Sequence, residues 1–265
     1  MQRKFIHSTD IAVSAIGLGT VKFGRNRSVK YPDGFELPSD SEILALLELA
    51  QELGINFLDT APAYGISEER LGRLLMGKRD QWVIVSKAGE DFDGNSSHFD
   101  FSTAAITASA ERTLSRLGTD RIECLLLHSD GDDLDVLDRS GAVDALVRLK
   151  EQGKIRATGI STKTVTGGLR AIELGLDAVM VTYNPWYTDE EQVLDAALDA
   201  GRTVFLKKAL GSGWFGGNKE QAGNSVEEAL GFVFSHPATT SAVIGTINPA
   251  HLRANCKALK SSLVD

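Results

Sequence analysis

Long apolar runs are missing from this chain. No stretch approaches the roughly 18 consecutive apolar residues of a membrane-spanning helix, and the opening Met1-Gln2-Arg3-Lys4-Phe5-Ile6-His7 lacks the apolar core of a secretory signal. Cysteine is scarce. Cys124 sits in an apolar strand-like run and Cys256 in a helical pattern, so both read as buried small hydrophobes of a reducing compartment. No Cys/His spacing suggests a metal site. Basic residues are outnumbered: 28 Lys and Arg against 36 Asp and Glu give a net charge of -8 and a pI near 5.2, a field that repels nucleic acid and anionic membranes. No Gly-x-Gly-x-x-Gly follows the first strand, which counts against an open dinucleotide-binding sheet. A cytoplasmic protein without nucleic-acid or membrane partners is the expectation.

What is present is a regular alternation over 265 residues. Short apolar strands read at 14–21, 55–59, 82–88, 122–128, 155–161, 178–184, 203–209 and 241–246, with amphipathic helical patterns between them. Near-continuous apolar strands mean a parallel sheet covered by helices. Eight units without a composition break predict one α/β domain, 1–265, folded as a closed (β/α)8 (TIM) barrel, a size at which such barrels form single domains. Residues 3 to 13 predict a short hairpin closing the barrel floor. Ser39 with Glu42 makes a capping box for the first long helix, and Gly54 ends it. Ser67 is expected to cap the next helix, with Glu68 and Glu69 suiting its positive end.

Ionisable and polar residues gather where strands run out. Asp59, Lys87, His128 and Ser161 each follow an apolar run, and Tyr64 lies on the loop after Asp59. Barrel chemistry is built at the C-terminal strand ends. A lysine among apolar strands needs a counter-charge, which Asp59 on the neighbouring strand can supply. A cation beside a phenol lowers its pKa from about 10 toward neutrality, so that tyrosine becomes a usable general acid.

The segments Asn56-Phe-Leu-Asp-Thr-Ala-Pro-Ala-Tyr-Gly65, Val83-Ile-Val-Ser-Lys-Ala88 and Leu125-Leu-Leu-His128 resemble, in order and spacing, the Asp, Tyr, Lys and His tetrad of aldo-keto reductases. Ile155 to Ser161, Val181 to Pro185, and Ile244 to Asn255 resemble further cofactor segments of that family. The resemblance implies reduction of a small carbonyl substrate by hydride from NADP(H), with NAD(H) usable. It implies Tyr64 as proton donor, Lys87 and Asp59 tuning it, and His128 orienting the carbonyl. It places Gly19, Thr20, Ser161, Thr162, Met180, Lys207, Gly245, Thr246, His251 and Asn255 around the cofactor, and Trp186 and Trp214 at the substrate. Met180 stands where many members have Gln, and Lys207, followed by Lys208, where many have an aromatic ring. The long C-terminal substrate loop of many members is expected to be absent. Loop 210–224, with Trp214 and Phe215 between glycines, either lines the pocket or only packs. The residues alone also allow a Schiff-base lyase of aldolase type using Lys87 or Lys207, or a cofactor-binding regulatory module.

Overall fold

The computed structural model describes residues 1–29, 34–211 and 226–262. Strands β1 (Arg3–Phe5) and β2 (Ala12–Ser14) form an antiparallel hairpin, followed by β3 (Ile16–Gly19) and the short α1 (Val21–Gly24). Helix α2 (Asp40–Glu52), strand β4 (Phe57–Asp59), helix α3 (Ser67–Leu74) and strand β5 (Val83–Ala88) come next. An antiparallel pair, β6 (Glu90–Phe92) and β7 (Ser97–Phe99), precedes α4 (Thr103–Leu117) and β8 (Ile122–His128). Helices α5 (Asp133–Asp138) and α6 (Ala142–Glu151) lead to β9 (Ile155–Ser161), and α7 (Val165–Glu173) leads to β10 (Ala178–Thr182). The chain continues with α8 (Glu191–Asp199), β11 (Thr203–Lys207), α9 (Val226–Ser235), β12 (Thr239–Ile244) and α10 (Pro249–Ser262).

Eight strands close in the order β10-β11-β12-β3-β4-β5-β8-β9, all neighbours parallel. This is the expected (β/α)8 barrel. Alternation along each strand splits the core in two. Phe57, Val83, Val85, Cys124, Leu126, Ala157, Ala178, Met180 and Phe205 pack inside the barrel, while the larger cluster lies between strands and helices. Phe57 and Phe205 meet with ring centroids 5.1 Å apart. Gly17 makes room for the first ring, since a Cβ there would stand 2.5 Å from Phe57 Cδ1.

The hairpin β1–β2 closes the floor, as expected. Ile6 and Val13 join the inner cluster, and Lys4 Nζ donates to the carbonyls of Pro237 and Thr239 at the start of β12. The capping box at Ser39 and Glu42 is complete. Asn56, just below β4, accepts from Ser14 N and donates to Ala12 O, tying the hairpin to the barrel.

Several local expectations are corrected. Ser67 does not cap α3; it is the first helical residue after Ile66 and is fully buried. Its Oγ turns inward to Thr20, 2.8 Å from Oγ1. Glu68 and Glu69 do stand in the first turn of α3, as expected, and Glu68 is buried there: Ser86 Oγ and Thr113 Oγ1 donate to it at 2.8 and 3.0 Å, and burial pushes its carboxyl up. Strands β10 and β11 stop at Thr182 and Lys207, before Asn184 and Ala209, and β12 begins at Thr239. The Asn184 side chain leaves the ladder to donate to Lys208 O. Trp214 and Phe215 lie outside the described residues.

Candidate active site

Period-two alternation puts one set of side chains inside the barrel at every level. Phe57 and Asp59 share the inner face of β4, Val83, Val85 and Lys87 that of β5, and Cys124, Leu126 and His128 that of β8. Asp59 pairs with Val85, Lys87 with Leu126, and His128 with Ser161. Each chemical residue thus stands one inward step further up the next strand. The barrel stagger that closes the sheet arranges them as a rising arc at its C-terminal mouth.

Asp59 and Lys87 form a buried ion pair, Nζ 2.5 Å from Oδ1, with side chains only 6% and 2% exposed. Lys87 Nζ also donates to Thr60 O at 2.9 Å. The Tyr64 hydroxyl donates to the other carboxylate oxygen, Oδ2, at 3.3 Å. Lys87 Nζ lies 4.7 Å from the Tyr64 ring centroid, and His128 meets that ring edge-on at 6.3 Å. The four residues expected to act together are brought together.

Tyr64 is carried on a single 3-10 turn, Pro62–Tyr64, whose N–H bonds back to Ala61 O. Gly65 leaves the turn at φ +63, and Gly24 lies against it: Ile66 N donates to Gly24 O. A Cβ on Gly24 would fall 2.2 Å from Ser67 N and 2.4 Å from Tyr64 O, both backbone atoms that cannot step aside. Gly24→Ala is expected to cost about 1–3 kcal/mol and to displace Tyr64. Urea unfolding would show the lower midpoint, and a wild-type midpoint would mean that the two loops are not in close contact.

A cavity of about 690 Å³ opens over this arc, walled by Asp59, Tyr64, Lys87 and His128 on one side. Gly19, Ser161, Met180, Lys207, Gly245, Thr246, His251 and Asn255, all expected around a cofactor, line the same cavity. Thr20 and Thr162 do not; both are fully buried. Thr20 Oγ1 donates to Asp59 O, and Thr162 turns its hydroxyl toward Glu190. Trp186 also lies off the cavity wall, its ring 3.5 Å from where a Cβ on Gly211 would be.

Lys207 reaches across the floor. Its Nζ donates to Ser161 Oγ and to Thr162 O. Burial brings its ammonium down to about 8, although Glu190 pulls the other way. At the start of α10, Asn248 Oδ1 accepts from Ala250 N at 2.8 Å and Thr246 Oγ1 accepts from Asn248 N at 3.1 Å.

One residue of the site was missed in the sequence. Glu90 on β6 stands with Oε2 2.8 Å from His128 Nδ1. The hairpin that carries it has a readable signal, Asp93-Gly94, flanked by strand-forming residues. Asp93 Oδ1 accepts from both Asn95 N and Ser96 N.

The donor set suits an anionic dinucleotide. In a chain of net charge -8, the described residues of the cavity wall include Lys22, Lys87, Lys207 and Lys208 beside the carboxylate of Asp59. Gly19 and Gly245 stand side by side on the cavity wall, where a Cβ on Gly19 would crowd Val243 Cγ1 at 3.1 Å.

Comparison with known proteins points the same way. Residues 15–228 match the model of the Aldo/keto reductase family. A D-threo-aldose 1-dehydrogenase of a Pseudomonas species is 36% identical over 236 residues, covering 78% of this chain and 70% of that protein. L-galactose dehydrogenase of Arabidopsis thaliana is 30% identical over 205 residues, covering 74% and 60%. A crystal structure from Pseudomonas aeruginosa, described as an aldo-keto reductase, superposes with a TM-score of 0.88 at 46% identity over 98% of this chain and 96% of that one. A match running from β3 to the start of α9, laid over a barrel whose mouth holds Asp, Tyr, Lys and His in contact, makes this chain a member of the aldo-keto reductase family, oxidoreductases that use nicotinamide cofactors.

Proposed function

We propose that this protein reduces an aldehyde or ketone to the alcohol, with Tyr64 as general acid and NADPH preferred to NADH. The observation that carries the reading is the shared carboxylate of Asp59, with Lys87 Nζ on one oxygen at 2.5 Å and the Tyr64 hydroxyl on the other at 3.3 Å. A nicotinamide bound in the cavity supplies the hydride. Every other part of the reaction falls to the chain. Tyr64 turns its hydroxyl from Asp59 to the carbonyl oxygen and gives up its proton there. Lys87, held in place by Asp59 and Thr60, stabilises the phenolate left behind. His128 donates to the same carbonyl oxygen and fixes its direction.

Gly19, Gly245, Thr246, Asn255 and the lysines at 207 and 208 would hold the dinucleotide, with Ser161 and Met180 nearest its reactive end. His251, which lines the same cavity, would meet the adenosine 2′-phosphate. Arg253 is exposed and stands 4.0 Å from Glu52, so it is a weak substitute.

The test is a fluorescence titration with NADPH and NADH, followed by a carbonyl panel that begins with aldoses, since two relatives are named for sugars. We expect NADPH to bind about tenfold more tightly, a difference of about 1.4 kcal/mol, and His251→Ala to narrow that ratio. A ratio of thousands, unchanged in the variant, would mean that another cation holds the phosphate. The imine-forming alternative loses Lys87 to its ion pair but keeps the depressed Lys207. Borohydride trapping of a carbonyl compound without nicotinamide would detect it; no adduct is expected.

A further inference from the structure

The hairpin β6–β7 folds over the barrel mouth and is firmly seated. Gly89, at φ +104, leads into it, and a Cβ there would run into the Phe101 ring at 2.3 Å. Asp100 N closes the return by donating to Gly89 O. This seating delivers Glu90 to the back of His128, on the side away from the cavity.

Glu90 is a fixed anion. Ser97 Oγ donates to Oε1 at 2.6 Å, and Arg25 Nη1 lies 3.9 Å from the same oxygen. Arg25 is itself pinned, its guanidinium stacked 3.6 Å from the Phe92 ring centroid and donating to Ala63 O. Burial raises the Glu90 carboxyl, but His128, Ser97 and Arg25 outweigh it and bring it down to about 2.

His128 feels opposing forces. Burial lowers it, and so do the ammonium groups of Lys87 on β5 and Lys207 on β11. Glu90 raises it and so offsets part of that loss, but burial prevails and the ring stands below the usual histidine value. Tyr64 faces the ring only edge-on, and the Asp59 charge is occupied by Lys87. The contact at Nδ1 is 2.8 Å, close as an ion pair yet not aligned as a hydrogen bond in this structure. Its pull on the ring combines contact at Nδ1 with charge.

We propose that Glu90 is a positioning residue for carbonyl reduction, offsetting the burial of His128 so that its imidazolium form, with Nδ1–H toward the hairpin and Nε2–H toward the substrate, stays accessible. The inference rests on the reductase reading and deepens it. A neutral imidazole has one N–H. With a carboxylate behind Nδ1, that proton stays at Nδ1, and Nε2 can only accept. A carbonyl oxygen has no proton to offer, so neutral His128 in this setting cannot bind it. The doubly protonated ring can, and the anion behind it is what makes that form accessible. The same logic separates the two directions: an alcohol can donate to a bare Nε2, so oxidation does not need the imidazolium.

The experiment follows the His128 ring by 15N NMR in the ligand-free protein, with His128→Asn used to assign it among the five histidines. In the wild type, Nδ1 should stay protonated while Nε2 titrates. Glu90→Gln keeps the shape and removes the charge. It should lower that titration by about one pH unit or more, the scale of a close counter-charge. The falling limb of kcat/KM for reduction should move to lower pH by the same amount. Glu90→Asp, which keeps the charge, should recover at least half of the shift. A wild-type ring with bare Nδ1, or a titration unmoved in Glu90→Gln, overturns the proposal without reference to turnover. A shifted titration with an unshifted reduction profile overturns the role in catalysis. Absence of carbonyl reduction in the wild type, with the NMR shift intact, would instead remove the reductase reading and leave the pairing standing.

Discussion

Tyr64→Phe should lower carbonyl reduction by roughly 10²-fold or more while leaving cofactor affinity nearly intact. The scale is that of one positioned proton transfer. The substitution is unusually clean here. The ring keeps its edge-on contact with His128 and its place beneath Lys87, and the backbone turn is held by Pro62, Gly65 and Gly24 rather than by the hydroxyl. Only the O–H donating to Asp59 Oδ2 is removed. Single-turnover reduction with saturating cofactor reads the chemical step directly. Turnover near the wild-type value would remove Tyr64 from the mechanism, and the cavity would have to find its acid in His128 or Lys207.

The second large effect is expected at the ion pair below it. Lys87 and Asp59 are buried together, and either one left alone is an uncompensated charge, typically costing about 3–5 kcal/mol. Asp59→Asn and Lys87→Met should each lower the urea midpoint and cut turnover by at least the same factor as Tyr64→Phe. The double variant leaves no stranded charge, so its loss of stability should be well short of the sum. Thr60 O would still lack its lysine donor, so full recovery is not expected. Strict additivity in the cycle would show that the two residues act independently and that Asp59 does not set the state of Lys87.

Most of the barrel could be read because its signal is redundant. Most barrel strands are buried on both faces, and several helices are punctuated by a residue with a physical reason to be there, such as Ser39 at a start or Gly118 at an end, left-handed at φ +61. The tetrad could be read because inward-facing residues at strand tops have nowhere to go but the mouth. What stayed hidden depended on partners distant in sequence. Ser67 looks like a cap until Thr20 claims its hydroxyl. Glu68 looks like a surface acid until Ser86, Thr113 and Arg116 surround it. Glu90 is three residues from Lys87 on a short polar hairpin, and nothing local says that its carboxylate will reach a histidine 38 positions later. Strand ends slipped by one to two residues where side chains such as Asn184 satisfied the backbone instead of the ladder.

The closing seam of the barrel has a consequence for how the chain is made. β12 lies beside β3, and Ser241 Oγ donates to Ala15 O across 226 residues. During synthesis at about 5–20 residues per second, one edge of β3 waits about 10–45 s for its partner to emerge. An unpaired apolar strand edge is a template for pairing with other chains. The floor hairpin covers the start of that strand but not its edge, and Lys4 reaches its own acceptors, Pro237 and Thr239, only when the last strand arrives. The nascent barrel thus stays an open sheet until β12 has left the ribosome, and only then can it shut.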